Sequence, residues 1–264
     1  MKNETGKNKK SINDLAVDAV VLAGGDGSVI DPNTPVKGMV QIAEKPMVQW
    51  VLEALAKSQI VRDVVVVLPA GPDSGEWEHL ATHVVRSDGQ ISENMVAALD
   101  MLPQSDLIVT VTSDIPTVSP EAIDDLIVQT VERGAELSYP FVTQEVMQAA
   151  YPGAQRTFIK IRVGKVTGGN AAVFNPKHLQ VLHDFAQELF DARKSPMKLA
   201  SVAGIKFVIK LAMGRLDLDD VEDRIKLLTG VTSAAIFSDY ASIGADVDKP
   251  ADVAVAQAKL TSIE

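Results

Sequence analysis

Val17-Asp18-Ala19-Val20-Val21-Leu22-Ala23-Gly24-Gly25-Asp26-Gly27-Ser28 is the stretch on which the reading turns. A near-continuous apolar run from Val17 to Ala23 that stops at glycines predicts a central buried strand. Gly24, Gly25 and Gly27 follow at once. Without Cβ atoms there, backbone N–H groups can converge on a phosphate, and Leu22, Ala23, Gly24, Gly25 and Gly27 are candidate nucleotide contacts. The loop fits neither common phosphate fingerprint. A G-x-G-x-x-G read from Gly25 meets Ile30 at its last position, and no Gly-Lys-Ser/Thr follows. A tight strand-to-helix turn is the plainer alternative.

Outward from this loop, strands and helices alternate with short connections. That pattern predicts one α/β domain over residues 15–264, a mainly parallel sheet with helices on both faces. Pro46 can open a helix whose Val48, Val51, Leu52 and Leu55 form one stripe. Val64 to Leu68 and Leu107 to Thr112 read as further strands. A helix begins near Ser92 with Met95, Val96, Leu99 and Leu102 inward. After Leu107 to Thr112 comes a well-punctuated helix: Ser119 as cap, Pro120 at its first position, Glu121 at the positive end, Gly134 closing it. Beyond Pro176 the pattern gives three helical stretches, a strand near Ala234 to Phe237 and a final helix after Pro250. Residues 177–230 read as a helical insertion on the acceptor side. Residues 1–14 read as a flexible tail.

The 264 residues are 46% hydrophobic and 23% charged, as in ordinary globular proteins, and include no cysteine. Thiolate metal sites and cysteine nucleophiles are thereby excluded, and a cytoplasmic location is expected. A formal net charge of −10 argues against nucleic acid as a partner. No run reaches the length a membrane helix requires; Lys206 and Lys210 interrupt the longest, the amphipathic Leu199 to Met213. Oligomeric state is open, a homo-oligomer included.

Two charged residues complete the loop's chemistry. Lys37, in Thr34-Pro35-Val36-Lys37, can neutralise a triphosphate and the charge that develops on it. Asp114 ends the run Leu107 to Ser113, at the edge where open α/β sheets bind ligands. A hard carboxylate there suits Mg²⁺, and a helix-capping role before Ser119 is the alternative. His79 and His83 could share a helix face, but no third ligand is near in sequence.

These segments resemble the MobA-like NTP transferases, whose start reads roughly L-A-G-G-x-G-x-R, then P-K, then G-K-P-M. Here the chain has Leu22-Ala23-Gly24-Gly25-Asp26-Gly27-Ser28-Val29, then Pro35-Val36-Lys37, then Glu44-Lys45-Pro46-Met47. Val29 replaces the usual arginine, and Val36 is inserted before the lysine. The resemblance implies a GT-A-type fold, an NTP donor, a small phosphorylated acceptor, and Mg²⁺ on Asp114. Catalysis would rest on Lys37 and Asp114. The ending Gly244-Ala245-Asp246-Val247-Asp248-Lys249-Pro250 resembles the family's D-x-D-T-P. There Asp248 is either a second metal ligand or a packing residue, and Asp246 is read as structural. Ser87 to Asn94 resembles the segment that reads base and ribose, which makes Ser92 and Asn94 candidates, although Ser92 also suits a helix cap. Thr167-Gly168-Gly169-Asn170 resembles the acceptor-side segment, with a β-bulge as the alternative for its glycines; Arg156-Thr157 recurs in some relatives. Two rivals remain: a nucleotide-sugar glycosyltransferase, which usually shows a D-x-D where Ser113-Asp114-Ile115-Pro116 stands, and a nucleotide-binding regulator without activity.

Overall fold

The computed structural model describes residues 15–71, 75–192 and 195–262. The tail expected over residues 1–14 lies outside them. In chain order the strands are β1 (Val17–Leu22), β2 (Gln41–Ile42), β3 (Lys45–Pro46), β4 (Val64–Leu68), β5 (His83–Arg86), β6 (Leu107–Thr112), β7 (Leu137–Thr143), β8 (Ile159–Ile161), β9 (Gly164–Gly168), β10 (Ala171–Phe174) and β11 (Ser233–Phe237). Among the described residues nine of them form one sheet in the order β5-β4-β1-β6-β10-β7-β9-β8, with β11 beside β7; β2 and β3 make a separate hairpin. β9 and β10 run against the rest, so the sheet is mixed and mostly parallel.

Alternation along the strands sorts the core into two layers. Val17, Ala19 and Val21 face α1 (Met47–Ala56), α3 (Pro120–Glu132) and α4 (Gln144–Ala150). Val20 and Leu22 face α2 (Ile91–Asp100) and the start of α5 (Leu179–Ala192). Asp18 breaks the apolar run without breaking the strand. Its buried carboxylate accepts from Arg62 Nη2 at 3.0 Å, from the Asp63 N–H at 3.2 Å and from the Ser105 hydroxyl. A buried charge so paired is tolerated.

The helix signals hold with three corrections. Ser119 Oγ accepts from the Ala122 N–H at 3.2 Å and Pro120 takes the first position of α3, as expected. α2, however, begins at Ile91. Glu93 accepts from the Gln90 N–H at 2.8 Å, so Gln90 rather than Ser92 caps it. That start leaves Met95, Ala98 and Leu102 as the buried stripe and turns Val96 to solvent. Pro46 stands at the N-cap of α1 rather than inside it. In the insertion, Gly204 adopts φ +87°, a conformation glycine accepts at little cost. It splits the expected Leu199 to Met213 helix into α6 (Pro196–Ala203) and α7 (Ile205–Ala212). With α8 (Leu218–Thr229), four helices stand where three were expected; α9 (Pro250–Leu260) ends the fold.

From β1 the chain winds outward through β4 to β5, then crosses back to β6 on the other side of β1. Leu22 pairs with Thr112, so the loops leaving β1 and β6 diverge at one edge. Such a switch point opens a crevice at the carboxyl ends of the strands.

Glu136, just before β7, ties the insertion to the sheet. Its carboxylate accepts from Lys177 Nζ at 2.6 Å and lies 3.1 Å from His178 Nε2. Lys177 foremost, with His178, pulls its pKa from an ordinary 4.5 to about 2. A folded-state value below the unfolded one gives stability that is full above about 4.5 and lost as pH falls toward 2. Glu136→Gln should lower stability at pH 7 and flatten the acid limb, read from denaturant titrations between pH 7 and 2.5. Acid limbs of equal steepness in both proteins would contradict this.

Candidate active site

At the carboxyl edge of β1, β4, β5 and β6 lies a cavity of about 450 Å³. Gly24 and Gly25 line it from one loop, Ser87 to Gly89 from another, and Ser113 and Asp114 from a third; Lys37 and Asn94 complete the polar wall. Asn94 Nδ2 donates to the Gly89 carbonyl at 3.2 Å, while its buried Oδ1 has no hydrogen-bond partner.

The glycines of the first loop serve different ends. A Cβ on Gly27 would lie 2.4 Å from the Thr34 carbonyl oxygen, and the Gly27 N–H already donates to the Pro35 carbonyl at 3.0 Å. Gly27 is therefore a packing glycine, not a free phosphate donor. Ser28 is likewise engaged, its N–H donating to Asp26 Oδ1 at 2.9 Å. A Cβ on Gly24, in contrast, would meet nothing within 4 Å. Protein packing does not require glycine there, and the open side is the cavity. Ala23 is buried beneath the loop. Val29 is 64% exposed and does not itself line the cavity.

Lys37 opens a single 3₁₀ turn, Lys37 to Met39. A Cβ on Gly38 would lie 2.8 Å from Ser113 Oγ, so glycine lets this turn sit against the end of β6. Inserted Val36 is absorbed in a bridge with Asp26 and does not displace the lysine. Lys37 Nζ donates to Asp114 Oδ2 and to Asp248 Oδ1, both at 2.5 Å. Thr112 Oγ1 donates to the other oxygen of Asp114 at 2.5 Å. Burial alone would depress the Lys37 pKa, but Asp114 and then Asp248 outweigh it and hold the ammonium above its ordinary value.

The ending segment reaches this edge through the backbone, where the Val247 N–H donates to the Asp114 carbonyl at 2.8 Å. Asp248 packs the start of the last helix and also faces the lysine. Its N–H donates to Asp252 Oδ2 at 3.1 Å at the start of α9, while its carboxylate reaches Lys37. Asp246 lies at the same edge. Carboxylate oxygens of Asp114, Asp246 and Asp248 lie within 4.8 Å of one another. Arg156 pairs with Asp246 through both its carboxylate and its carbonyl. Burial, then the hydrogen bond with Asp248, pushes Asp246 up to about 6 despite that arginine. The aspartate pair at 246 and 248 was the visible signal; the fold that carries it to Asp114 was not.

Two other expected residues lie elsewhere, and a third meets this edge only through its backbone. Ser92, in the first turn of α2, borders a second, apolar cavity instead of this one. Gly169 is a packing glycine, since a Cβ there would lie 2.7 Å from Pro140 Cγ. Asn170 touches the site through its backbone, its carbonyl accepting from the Thr112 N–H at 3.1 Å. No helix among the described residues is long and apolar enough to cross a membrane.

The sequence profile of the MobA-like NTP transferase domain matches residues 19–193, and the chain belongs to that family. A curated relative, 2-C-methyl-D-erythritol 4-phosphate cytidylyltransferase of Bifidobacterium longum (strain DJO10A), is 32% identical over 128 residues. That match covers 46% of this chain and 41% of the relative, so it spans well under two thirds of the relative's length. Among solved structures, a hypothetical transferase from Thermus thermophilus superposes with a TM-score of 0.75 at 30% identity, covering 90% of this chain and 100% of that one. CMP:2-keto-3-deoxy-manno-octonic acid synthetase complexed with CTP superposes with a TM-score of 0.59, covering 94% of this chain and 100% of that one. At 15% identity, this second likeness is one of fold.

The two loop glycines give a direct check. Gly27→Ala should lower the melting temperature by several degrees, because the new methyl meets a backbone oxygen. Gly24→Ala should leave it within a degree or so of wild type. Equal melting temperatures for the two variants would contradict the packing role of Gly27.

Proposed function

We propose that this chain is a Mg²⁺-dependent nucleotidyltransferase that moves a cytidylyl group from CTP to a small phosphorylated acceptor and releases pyrophosphate. The observation that carries the reading is the convergence of Lys37, Asp114 and Asp248 beside the open Gly24-Gly25 corner of a polar cavity. CTP is favoured among the NTPs because cytidylyltransferases recur among the relatives.

Each residue's part follows from its place. The N–H groups of Gly24 and Gly25 cradle the triphosphate, and the empty side of Gly24 lets it approach. Asn94, with its unpaired buried oxygen, reads the nucleoside side. Asp114 and Asp248, with Asp246 close by, offer the oxygen ligands that a hard cation takes. Bound there, Mg²⁺ would neutralise charge on the phosphate oxygens and on the departing pyrophosphate. Lys37, released from its carboxylates, turns to the phosphates. An acceptor oxygen then attacks the α-phosphorus in line as the bond to pyrophosphate breaks. Positioning and fixed charge suffice for this step, and no covalent intermediate is needed.

Pyrophosphate release with the four NTPs and a panel of phosphorylated acceptors tests the reading, and we expect CTP to be used best. Lys37→Ala should lower turnover by about 10²-fold or more, the loss that follows removal of one preorganised charge. Asp114→Asn should abolish Mg²⁺-dependent CTP binding in calorimetry while the melting temperature stays near wild type. Near-wild-type turnover in the lysine variant, or unchanged Mg·CTP affinity in the aspartate variant, would overturn these assignments.

A further inference from the structure

Beside the polar cavity lies a second one, of about 530 Å³, that the reaction as described does not use. It occupies the sheet face that α2 leaves uncovered, roofed by α5 and α8 over β10, β7 and β11. Leu182 and Leu189 of α5, Val221 and Ile225 of α8, and Phe174 and Phe141 from the sheet give its character. Two of the polar side chains on its wall are turned to protein partners. Tyr139 donates to the Gly169 carbonyl at 2.5 Å, and Glu222 accepts from the Ala235 N–H at 2.8 Å. The Ser233 hydroxyl is buried and unpartnered.

Such a space does not stay empty without cost. Apolar walls facing a void or water lose contacts on a scale that matters to a marginally stable domain. Its size falls within the roughly 300–1,000 Å³ of small-molecule sites, yet it lacks the several polar groups that would orient a heterocycle or a sugar. Hydrocarbon is what such a wall accepts. Leu22 and Ile91 line both cavities, so a molecule passing these two side chains has one end in each.

We infer that the apolar cavity binds the hydrocarbon chain of an amphiphilic acceptor whose phosphate lies in the polar cavity near Lys37. That the chain belongs to the acceptor rests on the nucleotidyl-transfer reading; that hydrocarbon lodges here does not. The substrate class is therefore an alkyl or isoprenoid phosphate rather than a small hydrophilic one.

Calorimetric titration with ethyl, hexyl and decyl phosphate, and with 1-decanol as a phosphate-free probe, tests this below the micellar range. Affinity should rise steeply with chain length, by roughly fourfold for each methylene that becomes buried. Ala186→Trp on α5 fills the space and Ile225→Gln on α8 makes its wall polar. Both should remove that dependence by tenfold or more at decyl phosphate, while melting temperature and CTP affinity remain near wild type. Equal affinity for ethyl and decyl phosphate, or an unchanged chain-length slope in both variants, would overturn the inference. Decanol binding in a protein that binds no nucleotide would leave the hydrocarbon site standing and sink the transferase reading instead.

Discussion

One ammonium group shared between two carboxylates, Lys37 between Asp114 and Asp248, joins parts of the chain that are far apart in sequence. Lys37 follows the glycine loop, Asp114 ends β6, and Asp248 precedes the last helix. Three like charges within 4.8 Å repel one another in a half-buried place unless cations balance them. Lys37 and Arg156 supply that balance. Gly38 lets the Lys37 turn pack on Ser113, and the Val247 N–H fixes the ending segment to Asp114. In the proposed reaction the same balance bears on function, because a lysine that left its carboxylates for phosphates would expose oxygen ligands as it moved.

What could be read locally was read from the sequence. The first strand and its glycines, Ser119 and Pro120 at the start of α3, and an aspartate at the carboxyl end of β6 all depend on residues a few positions apart. Where longer-range choices decided, the sequence was silent or misleading. Gln90 and Glu93 start α2 earlier than Ser92 would, and the shift moves Ser92 off the polar cavity. Gly204 takes a left-handed φ where an apolar periodicity suggested an unbroken helix. Gly27 carries the appearance of a phosphate glycine, yet its reason is the Thr34 carbonyl pressed against it. Asp246 is legible as a partner of Arg156 and Asp114 only once β6 and the ending segment stand side by side.

Sheet topology explains why two unlike spaces adjoin. The parallel strands β5, β4, β1 and β6 present their loop ends to one edge, where backbone N–H groups and carboxylates gather. Past β6 the sheet continues through β10 and β7, and its second face there is met by insertion helices rather than by α2. Helices whose apolar stripes do not fully reach the sheet leave a greasy space next to a charged one. Within one domain the chain thus holds both the charge that phosphates need and the apolar wall that hydrocarbon needs.

The most direct measurement is a crystal structure of the protein with CTP and Mg²⁺. The triphosphate is expected against the Gly24 and Gly25 N–H groups, with Lys37 Nζ turned from Asp248 toward phosphate oxygen and the metal on Asp114. A nucleotide ordered elsewhere, or one bound here while Lys37 keeps both carboxylates and no metal touches Asp114, would contradict the assignment of this edge as the catalytic site.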